Sequence, residues 1–349
     1  MRANPATADF LGRGGIAVCL AALSWTSPAA AAWGEIFSDG FETGEISLQR
    51  WAPQVANTEE GITLAESSLG DPVRTGDFGV EFRLALTDPA DEFGKRRSEL
   101  RPRPAPGQPP FHADFGRLYR YEFSLRLPED WSPDGPEIVA QWHGAIDLDS
   151  QGNPTEPRRS PPISLRTTFL ETEPGSEQFL TAWDARVRWD ANETTAMDMS
   201  TVTSMNLLDP IDATSDLGVW VDWALEVRWD WDPNGAGEAR LYKDGVLIAD
   251  YSGPNAFNDE KGPNSKIGLY KWDWDSPAAI QLRVAHYDDV RILIAGEHLP
   301  TMSWPGTTLL ALALIVSALN SRARPRQARR PADSRAGTRH ILRSRTRCS

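Results

Sequence analysis

Residues 221–251, VDWALEVRWDWDPNGAGEARLYKDGVLIADY, limit what this chain can become more than any other segment. Trp223, Leu225, Val227 and Trp229 alternate with mostly polar neighbours, and a period of two puts all four large apolar groups on one face of an extended strand. DPNGAG then reverses the chain, and EARLYKDGVLI returns through a second turn at Asp244 and Gly245. Short alternating runs divided by Gly, Pro, Asn and Asp recur from Phe41 to Ile294, with no heptad and no long helical period. They predict further strands at 79–86, 97–101, 119–127, 137–143, 163–169, 185–189, 266–271 and 280–294. The fold class is all-β: one two-sheet sandwich with little helix, interrupted by the long loops RPRPAPGQPP and DLDSQGNPTEPRRSPP.

Disulfides cannot brace this body, because the only cysteines, Cys19 and Cys348, fall in terminal segments. Residues 1–32 read as a signal peptide: Arg2 and Arg13 precede an apolar run from Ile16 to Trp25, and Ala30, Ala31 and Ala32 form a cleavage site. Bulky Val18 before Cys19 argues against a lipid anchor. At the other end, residues 299–320 join LPTMSWPG, Leu299 to Gly306, to an apolar stretch from Thr307 to Leu319, and a basic tail follows at 321–349. This arrangement resembles the C-terminal sorting tags of Gram-negative bacteria, in which an IPTLSEWG-type motif precedes an apolar span and basic residues. Without the resemblance it reads as a membrane anchor with its arginines on the cytoplasmic side. Both readings export the body, 33–298, to the cell surface or beyond, with membrane association through the C-terminal segment before processing.

The terminal segments also distort the charge. They hold twelve of the 36 basic residues and two of the 49 acidic ones, so Trp33 to Asn320 carries a net charge of −23. Such a surface excludes nucleic acid as a partner. Yet KRRSELRPR, Lys95 to Arg103, gathers five cations in nine positions. On a strand Arg97, Glu99 and Arg101 share a face, with Glu99 placed to orient the two arginines. In VAQWHG, Gln141 and His143 share a face; in SKIGLYKWDW, Lys266 and Tyr270 do so across Gly268, whose missing side chain is expected to leave room for an approaching group. Together these residues supply a carboxylate-binding cation, an amide donor, an imidazole with an ordinary pKa of about 6.5 and a phenol of about 10.

RSELR, QWH and KIGLY match, in order, the RSELR, QIH and KAGVY signatures of jelly-roll alginate lyases. The surrounding hairpin through KWDW is more similar still to the heparin lyase I and glucuronan lyase type of polysaccharide lyase. The resemblance implies a β-jelly roll, a concanavalin-like single domain, whose concave sheet binds an acidic uronate polysaccharide and cleaves it by β-elimination to 4,5-unsaturated products. It implies that Arg97, helped by Gln141, neutralises the uronate carboxylate. His143 would then remove the C5 proton and Tyr270 protonate the leaving oxygen, or Tyr270 would do both if the two groups lie on one side of the sugar. Arg101, Lys266, Lys271 and Trp272 are the expected substrate-binding residues, Glu99 a structural support. Lys271 and Trp272 stand where the alginate pattern has Asn and Gln, which turns the expectation away from alginate. Trp272 and Trp274 share a face with Tyr270 if the strand continues, and either stack on sugar rings or pack in the interior.

No cofactor is required by this chemistry and no metal ligands are assigned; calcium is the one ion the sequence leaves open. Loops starting at Asp147 and Asp230 open like calcium loops, but Arg158 and Leu241 stand where an EF-hand needs Glu, so both read as turns. A non-catalytic, lectin-like carbohydrate-binding module would share the sandwich and its aromatics without needing Arg, Gln, His, Lys and Tyr together. A retaining glycoside hydrolase needs two carboxylates about 5–5.5 Å apart, and no ExDxxE-like strand supplies them.

Overall fold

The computed structural model describes residues 32–57, 60–91, 94–274 and 280–296. The expected signal peptide, sorting motif, hydrophobic segment and basic tail lie outside the described residues. Among the described residues no helix is long and apolar enough to cross a membrane; the helices are two single turns, Ser67–Leu69 and Thr214–Asp216.

The strands, in chain order, are β1 (Trp33–Asp39), β2 (Trp51–Val55), β3 (Ile62–Glu66), β4 (Phe78–Ala85), β5 (Arg96–Pro102), β6 (Leu118–Arg126), β7 (Glu137–His143) and β8 (Ile163–Glu171). They continue as β9 (Phe179–Trp189), β10 (Thr203–Asp212), β11 (Trp220–Arg228), β12 (Glu238–Lys243), β13 (Val246–Ser252), β14 (Asn264–Lys271) and β15 (Leu282–Ala295). One sheet runs β13-β12-β11-β6-β15-β4-β3, with β1 also pairing β15; the other runs β10-β9-β8-β7-β14-β5-β2. The pairings within both sheets are antiparallel. Strands distant in sequence are neighbours in space, as in β15 between β4 and β6, and the result is a β-jelly roll in one domain.

The alternation at 221–251 becomes the β11–β12–β13 meander, with Trp223 opposite Lys243 and Arg228 opposite Glu238. Its tight turn places Asp244 at φ 50° and Gly245 at φ 76°, the left-handed pair whose twist matches the flanking strands. Inner faces of the two sheets meet in one core. Trp183 from β9 meets Trp223 from β11 edge to face at 5.2 Å, and the buried Tyr287 hydroxyl of β15 donates to the Val139 carbonyl of β7 at 2.6 Å. Such contacts lock one sheet over the other without a disulfide.

Strands β1, β2, β3 and β10 are additional to those read from the sequence. β2, β3 and β10 lie at sheet edges, where one side of the strand has no partner and strict alternation is not enforced. Pro53 in β2 and Pro210 in β10 sit where edge strands tolerate a missing N–H.

Candidate active site

Antiparallel pairing aligns side chains from neighbouring strands in rows across the outer face of the seven-stranded sheet. In one row Asp184 of β9 pairs with Arg166 of β8, Arg166 with Ile138 of β7, Ile138 with Tyr270 of β14, and Tyr270 with Arg97 of β5. A second row joins Arg186, Ser164, Gln141 and Lys266. Farther along, His143 pairs with Asn264. The rows bring Arg97, Glu99, Arg101, Gln141, His143, Lys266 and Tyr270 to one face, because each alternates with a neighbour that faces the core, such as Leu100, Trp142, Ile267 or Leu269.

Arg97 is held rather than free. One guanidinium nitrogen lies 3.3 Å from Asp91 and another 3.8 Å from Glu99, and the group sits 4.6 Å above the Tyr270 ring. Its side chain still keeps 25% exposure, enough to meet a ligand. Glu99 is fully buried and accepts a hydrogen bond from the Gln141 amide. Glu99 Oε2, Gln141 Oε1 and Arg101 Nε are buried without a hydrogen-bond partner among the described residues. Groups in that condition are costly in a finished core and are ones that a polar ligand satisfies.

The protonation states follow from burial. His143 Nδ1 lies 2.8 Å from the Gly144 carbonyl oxygen; a carbonyl only accepts, so Nδ1 carries the proton and Nε2 is left as an acceptor. Burial, reinforced by the positive charges of Lys266, Arg97 and Arg159, lowers His143 to about 3. Burial raises Tyr270 to about 12, against the opposing pull of Arg97. At neutral pH the imidazole can therefore accept a proton and the phenol can give one. Burial also lowers Lys266 to about 8, with Glu99 opposing, and lowers Arg101.

Residues 42–291 match the family model for polysaccharide lyases. The chain is a polysaccharide lyase. No curated protein matches its sequence. Among solved structures, an endo-β-1,4-glucuronan lyase from the fungus Trichoderma reesei is 16% identical with a TM-score of 0.51, covering 74% of this chain and 95% of that one. An alginate lyase from Pseudomonas aeruginosa is 19% identical with a TM-score of 0.42, covering 70% and 98%. A family 7 alginate lyase solved with bound substrate is 16% identical with a TM-score of 0.45, covering 72% and 95%.

Lys271 of the lyase does not join the outer face. One residue beyond Tyr270, it points the opposite way and is 1% exposed, 2.9 Å from Asp134 and 3.7 Å from Glu137. Arg283 meets the same Glu137 at 2.8 Å. This buried cluster between the sheets removes Lys271 from the substrate-binding set, and the strand period itself is the reason. Because β14 ends at Lys271, Trp274 instead packs at the core's edge with Lys271 5.3 Å from its ring. Trp272 stays half-buried beside the active face, its ring 5.8 Å from that of Tyr270. Gly268 does not open a path for substrate: at φ 120°, a Cβ there would lie 2.2 Å from the Ser98 carbonyl oxygen and 2.8 Å from the Phe82 ring. Glycine is required by close packing at a bulge in the β7–β14 pairing.

Sequence reading missed the extension of this face over β8 and β9. Arg166 pairs with the buried Asp184, and Arg186 and Arg188 follow Asp184 at alternate positions of TAWDARVRW. The period of two was the available signal. Burial, with Arg166 and Arg186 nearby, lowers Arg188 to about 10, as expected where cations are crowded together.

Proposed function

We propose that this lyase depolymerises a uronate-containing acidic polysaccharide by β-elimination, with Arg97, Gln141, His143 and Tyr270 as its catalytic residues. The observation that carries the proposal is the row in which Arg97 pairs with Tyr270, beside the row that joins Gln141 to Lys266. The hydrogen at C5 of a uronate is weakly acidic while the adjacent carboxylate keeps its full charge. Arg97, with the Gln141 amide, stabilises the negative charge that grows onto that carboxylate as the proton leaves. His143 Nε2 takes the C5 proton, and the electron pair of the C–H bond becomes the C4–C5 double bond. The C4–O bond breaks, and Tyr270 donates its proton to the departing oxygen. Return of the proton from His143 to Tyr270 through solvent completes the cycle.

A base of about 3 is weak, but a bound uronate places negative charge beside it and raises it. The raised Tyr270 favours the neutral phenol, the form an acid needs. Arg101, Lys266 and Trp272 would hold neighbouring sugars of the polymer. Glucuronan is the first substrate to test, since the glucuronan lyase fold is matched and Trp272 stands where the alginate pattern has Gln. The N-terminal and C-terminal segments favour action outside the cytoplasm, on extracellular polymer.

A panel of glucuronan, alginate and heparin, read by ultraviolet absorbance of unsaturated ends and by product mass, tests the reading. At least one polymer should yield products with the same summed mass as the substrate. Products heavier by one water per cleavage would make the protein a hydrolase, and no cleavage of any uronate polymer would refute the proposal.

A further inference from the structure

Behind His143 lies a group of acids that the elimination chemistry does not use. Asp147 and Glu156 come from the loop after β7 and Asp259 from the loop before β14, and one carboxylate oxygen of each lies within 4.8 Å of the others. Arg159 donates to Glu156 Oε2 and to Asp259 Oδ1, both at 2.6 Å. Glu156 Oε2 also accepts the Thr195 backbone N–H at 3.0 Å, and Asp147 Oδ1 accepts that of Glu260 at 2.8 Å. Each acid is thus fixed through one of its oxygens.

For Glu156 the leftover oxygen is diagnostic. Its side chain is 1% exposed, yet Oε1 has no hydrogen-bond partner among the described residues. An unpaired carboxylate oxygen is among the most costly groups to bury, and a cation or donor is the usual remedy. Charge agrees: among the described residues the three acids are met by the guanidinium of Arg159, which pairs with Glu156 and Asp259. Burial raises Asp259 to about 7, with Arg159 opposing and Glu156 and Asp147 adding to the rise.

We propose that Asp147, Glu156 and Asp259 bind a hard divalent cation, calcium before magnesium, that ties the loop after His143 to the loop before β14. Three oxygen donors on two loops suit calcium, which accepts irregular oxygen cages completed by water, better than magnesium, which demands a regular octahedron. The site adjoins the catalytic imidazole through Gly144: a Cβ there would lie 2.8 Å from Asp259 Oδ2, and the Gly144 carbonyl holds His143 Nδ1. The ion would therefore fix the main chain that orients His143.

The test is calorimetric titration of calcium chloride, and separately magnesium chloride, into the chelator-treated full chain, with thermal melts at each concentration. One calcium per chain should bind, more tightly than magnesium, and Tm should rise with calcium concentration. Glu156→Gln and Asp147→Asn should each lose that binding and that rise. If Glu156→Gln fails to fold, Asp147→Asn, altered at the half-buried rim, decides the matter alone. Absence of calcium binding by the parent chain overturns the proposal, as does binding by both folded variants equal to the parent's, which would put the ion elsewhere. Because the readout is binding rather than turnover, neither result depends on which polymer is cleaved.

Discussion

The two outer faces of the sandwich are built from the same strand geometry and differ in how far their cations are paired. On the eight-stranded sheet the cations are closed off: Arg120 meets Glu122 at 2.5 Å and Glu226 at 2.6 Å, Arg240 meets Glu238 at 2.8 Å, and Arg291 meets Glu35 and Glu122 at 3.2 Å. On the seven-stranded sheet Arg97 and Arg166 are held by Asp91 and Asp184, but Arg101, Arg188 and Lys266 make no ion pair within 4.0 Å among the described residues, and the buried Arg101 Nε donor has no hydrogen-bond partner among them. Side chains on the first face satisfy one another, so they solubilise the sheet and little else. Side chains on the second are held in place while their bonding capacity stays open, which is the condition of a site awaiting an anionic ligand. In a body with a net charge of −23, this local excess of cations shows where such a ligand is welcome.

Substitutions that treat the two faces alike would break this comparison. Arg97→Ala should have the largest effect among the cations: turnover falls about 10²–10³-fold, the range for loss of a group that meets developing charge, while KM changes much less. Steady-state kinetics on the preferred polymer separates the two, and a purely KM effect would reduce Arg97 to a binding residue. Next comes Lys266, which burial lowers to about 8. Lowering means that the charge is present below about 8 and lost as pH rises through it, so KM should climb roughly tenfold between neutral pH and pH well above that value, the scale of one charged hydrogen bond. Lys266→Met should bind weakly at neutral pH already and show no such climb. Smallest is Arg120→Ala on the eight-stranded sheet, which should cost less than about 1 kcal/mol in denaturant unfolding and leave turnover unchanged.

Much of this was legible in the chain because strands of period two write their faces into the sequence. Glu137–His143 is the strand that VAQWHG predicts, and the pairs Arg97 with Arg101, Gln141 with His143, and Lys266 with Tyr270 do share a face. The expectation that Lys271 binds substrate fails on the same period, which turns it away from Tyr270 and toward Asp134 and Glu137. A missing side chain does not say from which side its space is filled, and at Gly268 Phe82 and Ser98 fill it from within. The acidic group escaped for a different reason. An EF-hand carries all its ligands in twelve residues with Glu at the twelfth, whereas here Glu156 stands at the tenth position counted from Asp147 and the third acid, Asp259, comes from a separate loop. Contacts between loops leave no period to find.

Tyr270→Phe tests the central claim most directly, since it keeps the ring under Arg97 and removes only the hydroxyl. On the polymer that the parent enzyme cleaves best, formation of unsaturated ends should fall by about 10²–10⁴-fold, the range for loss of a general acid or base, while thermal stability and retention of the polymer in affinity electrophoresis stay as in the parent. Unsaturated product formed at the parental rate would contradict the account and leave the cationic face as a binding surface alone.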